Sequence, residues 1–207
     1  MDEKNIVKTG TTILGIVCKD GIVMAGDNRA SLGNTLVGGK DLQKVLRIND
    51  YLLVAIAGHA TEATKASKLL AAELRLKQLR SKKRPSIKEA ASLLSNVQVQ
   101  HSGFLVGGVE ENGEFALYEI IGGLSTKISD FSASIGSGLM YVYGYLERMW
   151  KKEVSVKEGI ELAKESIKSS MERDFATGNG MNIFTITKDG IKEVVKDKTE
   201  LTFTKRE

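Results

Sequence analysis

Histidine occurs twice in this chain, and cysteine and proline once each. His59, His101 and Cys18 show no metal-ligand spacing, so imidazole and thiolate ligands cannot make up a zinc set. A lone cysteine forms no internal disulfide, which suits a reducing compartment and a cytoplasmic protein. No apolar run reaches the roughly 18 residues a transmembrane helix needs, so no membrane partner is expected. Met1-Asp2-Glu3-Lys4-Asn5 also lacks the charged-then-apolar plan of a secretion signal. A serine nucleophile elbow needs Gly-x-Ser-x-Gly, and the nearest match, Gly136-Ser137-Gly138, lacks that frame. The phosphate-loop pattern is missing as well. Neither a metal nor an organic cofactor is therefore expected.

What is present fits one globular domain. The 207 residues include 42% hydrophobic and 27% charged side chains, too apolar for a disordered chain. The net charge of +4 and a pI near 9.0 raise nucleic acid as a partner. The densest basic stretch, Arg75 to Arg84, has no interleaved aromatic on which a base would stack. It reads as a helix end, where Lys and Arg answer the negative pole of the dipole, and no nucleic-acid partner is expected.

Short β-rich runs, Thr12 to Val17 and Ile22 to Ala25, flank Lys19-Asp20-Gly21, a hairpin signal. A glycine-rich loop, Gly33 to Gly39, leads to two further runs, Val45 to Ile48 and Tyr51 to Ala57, suggesting a continuous antiparallel meander. From Thr61 the period turns helical through Ala66, Leu69, Leu70 and Leu74 to about Arg80. Pro85 followed by Ser86-Ile87-Lys88-Glu89 predicts a capping box opening a second helix. Strands return at Phe104 to Val109 and Glu114 to Ile121. A helix carrying Leu139, Val142, Tyr143, Leu146 and Trp150 follows, and a second capping box at Ser155-Val156-Lys157-Glu158 opens another. A last hairpin, Ile183 to Thr187 and Ile191 to Val195, turns at Asp189-Gly190. Strands, paired helices, strands, paired helices and strands indicate an α+β fold with antiparallel sheets, layered helix, sheet, sheet, helix.

With histidine scarce, a threonine preceded by glycine draws the eye: Lys8-Thr9-Gly10-Thr11-Thr12, just before the first strand. A threonine hydroxyl needs a base. Its own α-amino group supplies one once the preceding residues are removed. That amine has an unperturbed pKa of about 7.7–8.0, so it is partly neutral at working pH.

Gly10-Thr11-Thr12, Cys18-Lys19-Asp20-Gly21, Ala25-Gly26-Asp27-Asn28-Arg29-Ala30-Ser31 and Gly33-Asn34 form an ordered series. It continues through Lys44-Val45, Ala55-Ile56-Ala57-Gly58, Ile121-Gly122-Gly123, Ile135-Gly136-Ser137-Gly138 and Met171 to Gly180. The series resembles the β subunit of the archaeal-type 20S proteasome, an N-terminal nucleophile hydrolase of the threonine peptidase class. The resemblance runs from Gly10 to about Thr187 and implies a four-layer αββα sandwich of two antiparallel sheets. It implies that residues 1–10 are a propeptide removed by autocleavage between Gly10 and Thr11, leaving 11–207 as the peptidase domain. Position by position, it makes Thr11 the nucleophile, Lys44 the active-site lysine and Asp27 its carboxylate partner. Ser137, Asp174 and Thr177 would support the threonine amine and hydroxyl, and the Gly58 N–H the oxyanion. Arg29 matches a structural arginine near the site. Ser31 would pair its backbone with extended substrate, and Ile56 and Ala60 would line the pocket for the residue before the cut bond. The partners implied are other β subunits in a heptameric ring, a ring of α subunits, an ATP-dependent unfoldase, and protein or peptide substrates.

Each residue also has an ordinary reading. Asp27 can end a strand, Lys44 can be an exposed loop lysine, and Ser137 can cap the following helix. Asp174 can be a solvated carboxylate, although its charge opposes the dipole at a helix end. The sequence departs from the family pattern in several places. Gln43 competes with Lys44 because the preceding loop is one residue longer. Thr177 stands in for serine, Asn179 for aspartate, and Asn96 to Gly107 is shortened. Gly33-Asn34-Thr35 also resembles the bacterial ATP-dependent threonine peptidase. A non-catalytic ring subunit with an assembly role is the alternative function, one that usually loses the threonine, the lysine or the Gly-Thr junction.

Overall fold

The computed structural model describes residues 10–32, 36–97, 99 and 101–198. In chain order the elements are β1 (Ile13–Cys18), β2 (Gly21–Asp27), β3 (Ala30–Leu32), β4 (Leu36–Gly39), β5 (Val45–Arg47), β6 (Leu52–Gly58), α1 (Ala60–Ser81) and α2 (Ile87–Ser95). They continue with β7 (Ser102–Val109), β8 (Phe115–Ile121), β9 (Leu124–Ile128), β10 (Phe131–Ser132), α3 (Leu139–Met149), α4 (Val156–Arg173), β11 (Gly180–Thr187) and β12 (Gly190–Lys198). One five-stranded sheet has the order β10-β1-β2-β11-β12 and the other β5-β6-β7-β8-β9, with β3-β4 as a separate pair. Every pairing among the described residues is antiparallel, in keeping with an α+β chain.

Strand alternation explains how both sheets come to be covered. Leu14, Ile16, Val23, Ala25, Met181 and Ile183 join one apolar cluster with Val142 and Leu146 of α3 and Leu162, Ala163 and Ile167 of α4. The neighbouring positions Ile13, Ile22, Met24, Phe184 and Ile186 point the other way and pack with Leu53, Ala55, Leu105 and Leu117 of the second sheet. On that sheet's other side, Leu52, Val54, Ile56, Phe104 and Val106 meet Ala66, Leu70 and Leu74 of α1 and Ile87, Ala91 and Leu94 of α2. The central strands are buried on both faces and read as continuous apolar runs, without polar alternation.

Both expected capping boxes are present, Ser86 with Glu89 and Ser155 with Glu158. In the first hairpin the turn is Lys19-Asp20, and Gly21 already opens β2 opposite Cys18. A Cβ at Gly21 would lie 2.3 Å from the Ile186 carbonyl oxygen, so close approach of β11 demands glycine there. Gly122 and Gly123 have φ of +58° and +83° and form the tight β8–β9 turn.

The single N-terminal meander does not form. β1–β2 and β5–β6 lie in different sheets, with the β3–β4 pair between them in the chain, and β4 falls within the Gly33 to Gly39 stretch expected as a loop. Strands β9 and β10 were not anticipated either, because Leu124–Ile128 is mostly polar and Phe131–Ser132 has only two residues. The basic stretch closes α1: Arg80 lies in its last turn, Lys82 is a left-handed C-cap, and the Arg84 guanidinium stacks 3.6 Å from the Tyr51 ring centre. Among the described residues no helix is long and apolar enough to cross a membrane.

Cys18 is 6% exposed and packs against Gly159 of α4. Burial, with the carboxylates of Asp20 and Glu158 adding to it, pushes its thiol from 9.0 up to about 12. Its proton is retained in the folded chain where the unfolded chain releases it. The associated stability is complete below pH 9.0 and is lost progressively as pH rises toward 12. Iodoacetamide at pH 8.5 is expected to leave native Cys18 unmodified and to alkylate it readily in guanidinium, as read by intact mass.

Candidate active site

Five segments meet around Thr11, which precedes β1 and is 4% exposed. Asp27 ends β2 and is completely buried. Its Oδ1 accepts from the Thr12 N–H at 2.8 Å and the Lys44 ammonium at 2.6 Å. Its Oδ2 accepts from the N–H groups of Arg29 at 3.0 Å and Gly178 at 3.1 Å. Four donors from separate parts of the chain thus satisfy this one buried carboxylate.

Lys44 reaches this point on a segment tied at both ends. The Leu42 N–H donates to the Asn28 carbonyl at 2.9 Å, and the Ile56 N–H to the Lys44 carbonyl at 2.9 Å. Gly26 keeps the passage clear, since a Cβ there would lie 3.1 Å from the Lys44 Cβ. Lys44 is 2% exposed while Gln43 is exposed, so the lysine, not the glutamine, enters the site. Burial lowers its pKa below the ordinary 10.5, opposed by the charges of Asp27 and Asp174 and assisted by Arg29.

A second group of polar side chains closes around the amide of Thr11. Its N–H donates to Ser137 Oγ at 3.2 Å, and the Ser137 hydroxyl donates to Asp174 Oδ2. Thr177 also donates to Asp174 Oδ2, which leaves its oxygen to accept from the Thr12 hydroxyl at 2.7 Å. Gly136 and Gly138 make this geometry possible. Cβ atoms there would fall 2.3 Å from the Thr11 carbonyl oxygen and 1.8 Å from Thr12 Oγ1. The N-cap of α3 is Gly138, with no side-chain capping bond, so Ser137 is not the helix cap. Asp174 is half-buried just beyond α4, where its carboxylate gathers Ser137, Thr177 and the Ala176 N–H.

Arg29 braces the same loop. Its Nε donates to Asn179 Oδ1 at 2.8 Å and its Nη1 to the Phe175 carbonyl, while the guanidinium lies where a Gly178 Cβ would fall. Asn179 supplies a neutral oxygen acceptor from a left-handed backbone (φ +62°), which asparagine tolerates.

The remaining candidates lie around this centre. Ser31 touches the segment through its side chain, Oγ accepting from the Gly10 N–H at 2.6 Å. Gly58 ends β6 with φ +88°, and a Cβ there would lie 2.0 Å from the His101 carbonyl, so packing alone requires glycine. Ile56 is 3% exposed within the cluster of α1 and α2, and half-buried Ala60 is the first residue of α1. Residues 1–9 and Gly33-Asn34-Thr35 lie outside the described residues.

Two contributors carry no signal in the sequence. Thr12 donates through both its N–H and its hydroxyl, yet a threonine beside a strand is ordinary. Ala176 walls the Gly10 backbone: a Cβ on Gly10 would fall 1.7 Å from the Ala176 Cβ.

The Thr11 hydroxyl donates to the Gly10 carbonyl at 2.6 Å. A hydroxyl thus rests against the carbonyl of its own peptide bond, beside a buried lysine–aspartate pair. The two members of that pair are not equivalent energetically. Asp27→Ala strands a buried ammonium and three N–H groups, and is expected to cost more than about 3 kcal/mol. Lys44→Met leaves the carboxylate its three N–H donors and is expected to cost less than half as much. Denaturant midpoints of the two variants test this.

The sequence profile of the family described as Proteasome subunit matches residues 7–186. A proteasome subunit beta of Methanobrevibacter smithii is 38% identical over 203 residues, covering 96% of each chain. One from Nanoarchaeum equitans is 38% identical over 191 residues, covering 89% of this chain and 96% of its own. A proteasome subunit beta 2 of Pyrococcus furiosus is 38% identical over 190 residues, covering 89% and 90%. With a profile matching most of its length and relatives of this similarity, the chain belongs to the proteasome subunit family.

Proposed function

We propose that this protein is a catalytic β subunit of a 20S proteasome core particle, a threonine endopeptidase that cuts unfolded proteins into peptides. The observation that carries this reading is the Thr11 hydroxyl against the Gly10 carbonyl, beside the buried Lys44–Asp27 pair. In this reading the layers of helices and sheets form the αββα sandwich of N-terminal nucleophile hydrolases. Residues 1–10 are the propeptide, and the subunits work in the cytoplasm. They stand in heptameric β rings against α-subunit rings fed by an ATP-dependent unfoldase.

In this reading the chain cleaves itself, and the Thr11 hydroxyl resting on the Gly10 carbonyl supports it. Thr11 Oγ attacks the Gly10 carbonyl carbon, forming a C–O bond, and the C–N bond to Thr11 breaks. The hydroxyl proton ends on the departing nitrogen, which becomes a free α-amine. Water then hydrolyses the ester, releasing the Gly10 carboxylate and restoring the hydroxyl. The liberated amine, supported by Ser137, Asp174 and Thr177, serves as base in later turnovers. The Lys44 ammonium lowers the proton affinity of the hydroxyl, and the Gly58 N–H stabilises the oxyanion.

The non-catalytic alternative usually forfeits the threonine, the lysine or the Gly-Thr junction, and this chain retains all three. Thr11→Ala is expected to give a folded, inactive chain that keeps residues 1–10, seen by intact mass after assembly with an α partner. Processing of that variant at the Gly10 bond in homogeneous assemblies overturns the reading.

Specificity follows from Ile56 as the base of the pocket for the residue before the cut bond, with Ala60 on its wall. Ile56 offers no charge to pair a buried arginine or glutamate, whose burial without a partner costs several kcal/mol. Large apolar side chains instead gain about 1.5–3 kcal/mol there. Fluorogenic peptides differing only at that residue are expected to be cut fastest after leucine, phenylalanine or tyrosine. Faster cutting after arginine or glutamate removes Ile56 from the pocket base.

A further inference from the structure

We infer that the Ser31 side chain is a positioning residue for self-processing, an acceptor that orients the Gly10 peptide for attack by Thr11. This rests on the reading of Thr11 as a self-cleaving nucleophile and adds to it a group that acts on the first bond cut. Glycine has more backbone freedom than any other residue, so a scissile carbonyl on Gly10 is poorly oriented unless the protein restrains both of its torsions. The structure restrains it from three directions. The Gly10 N–H donates to Ser31 Oγ at 2.6 Å, the Gly10 carbonyl accepts from the Thr11 hydroxyl at 2.6 Å, and the bare Cα fits against Ala176 and Ser137.

Ser31 is itself held rigidly. It is 1% exposed, sits in β3 opposite Val37 of β4, and follows the Asp27–Arg29 turn that carries the buried carboxylate. The acceptor for Gly10 is thus built on the same segment as the partner of Lys44. Without the Ser31 hydroxyl, the buried Gly10 N–H loses this acceptor and the carbonyl is free to turn from Thr11 Oγ. The contact is available only while Gly10 is still attached to the chain, so it acts on processing and is gone once the propeptide leaves.

The experiment follows processing of the full chain, assembled with its α partner, by intact mass over time in wild type, Ser31→Ala, Ser31→Thr and Thr11→Ala. Ser31→Ala is expected to slow release of residues 1–10 about tenfold or more, and Ser31→Thr, which restores a hydroxyl, to recover most of the rate. A circular-dichroism melt of Ser31→Ala in the Thr11→Ala background, matched to Thr11→Ala alone, separates positioning from misfolding. Processing of Ser31→Ala at the wild-type rate overturns the proposal while leaving the Thr11 reading intact. Equal slowing in Ser31→Thr, or a collapsed melt, also overturns it. Cleavage of Thr11→Ala at the Gly10 bond overturns the underlying reading instead.

Discussion

A buried carboxylate cannot be left without donors, and in this chain Asp27 takes them from four different places. Thr12, Arg29, Lys44 and Gly178 each supply one, so the start of β1, the end of β2, the approach to β5 and the loop after α4 converge on one side chain. Desolvating such an anion is costly, and these well-placed donors offset it. The positions of Thr11 and Lys44 follow from that constraint. Thr11 is placed by the bond that holds its neighbour Thr12, and the lysine by the ion pair.

The second network extends the same logic to the amide of Thr11. Asp174 accepts from Ser137 and Thr177, and those hydroxyls in turn accept from Thr11 and Thr12. Both carboxylates therefore hold the two residues that precede β1, one from the β2 side and one from the loop after α4. Glycines at 136 and 138 are needed because neighbouring atoms occupy the space that their side chains would fill, and at Gly26 a Cβ would crowd Lys44. Arg29 fixes the loop that carries Thr177 and Gly178, and Asn179 serves it as a neutral acceptor.

The helices were legible because their signals are local. A capping box such as Ser86 with Glu89 is complete within four residues, and the stripe of Ala66, Leu70 and Leu74 needs only the helical period. Strand existence was legible for a similar reason, through apolar runs ended by Asp-Gly or Asn-Gly. Sheet membership was not. β2 and β6 are buried on both faces, so nothing in their composition says which sheet takes them, and β9 is too polar to announce itself.

The sequence by itself determined the four helices and the longer strands, the α+β class, the lack of a histidine or cysteine metal set, and the ordered motifs that resemble proteasome β subunits. Each depends on neighbours along the chain or on residues counted. Tertiary structure alone decided that Lys44 rather than Gln43 is buried against Asp27, and that Ser137 bonds Thr11 and Asp174 instead of capping α3. It also decided that Thr12 and Ser31 contribute hydroxyls to the same small volume. A hydrogen bond forms within about 3 Å, whereas these partners lie as many as 165 residues apart in the chain. No local pattern encodes such a separation, so packing of the two sheets and the helices brings the partners together.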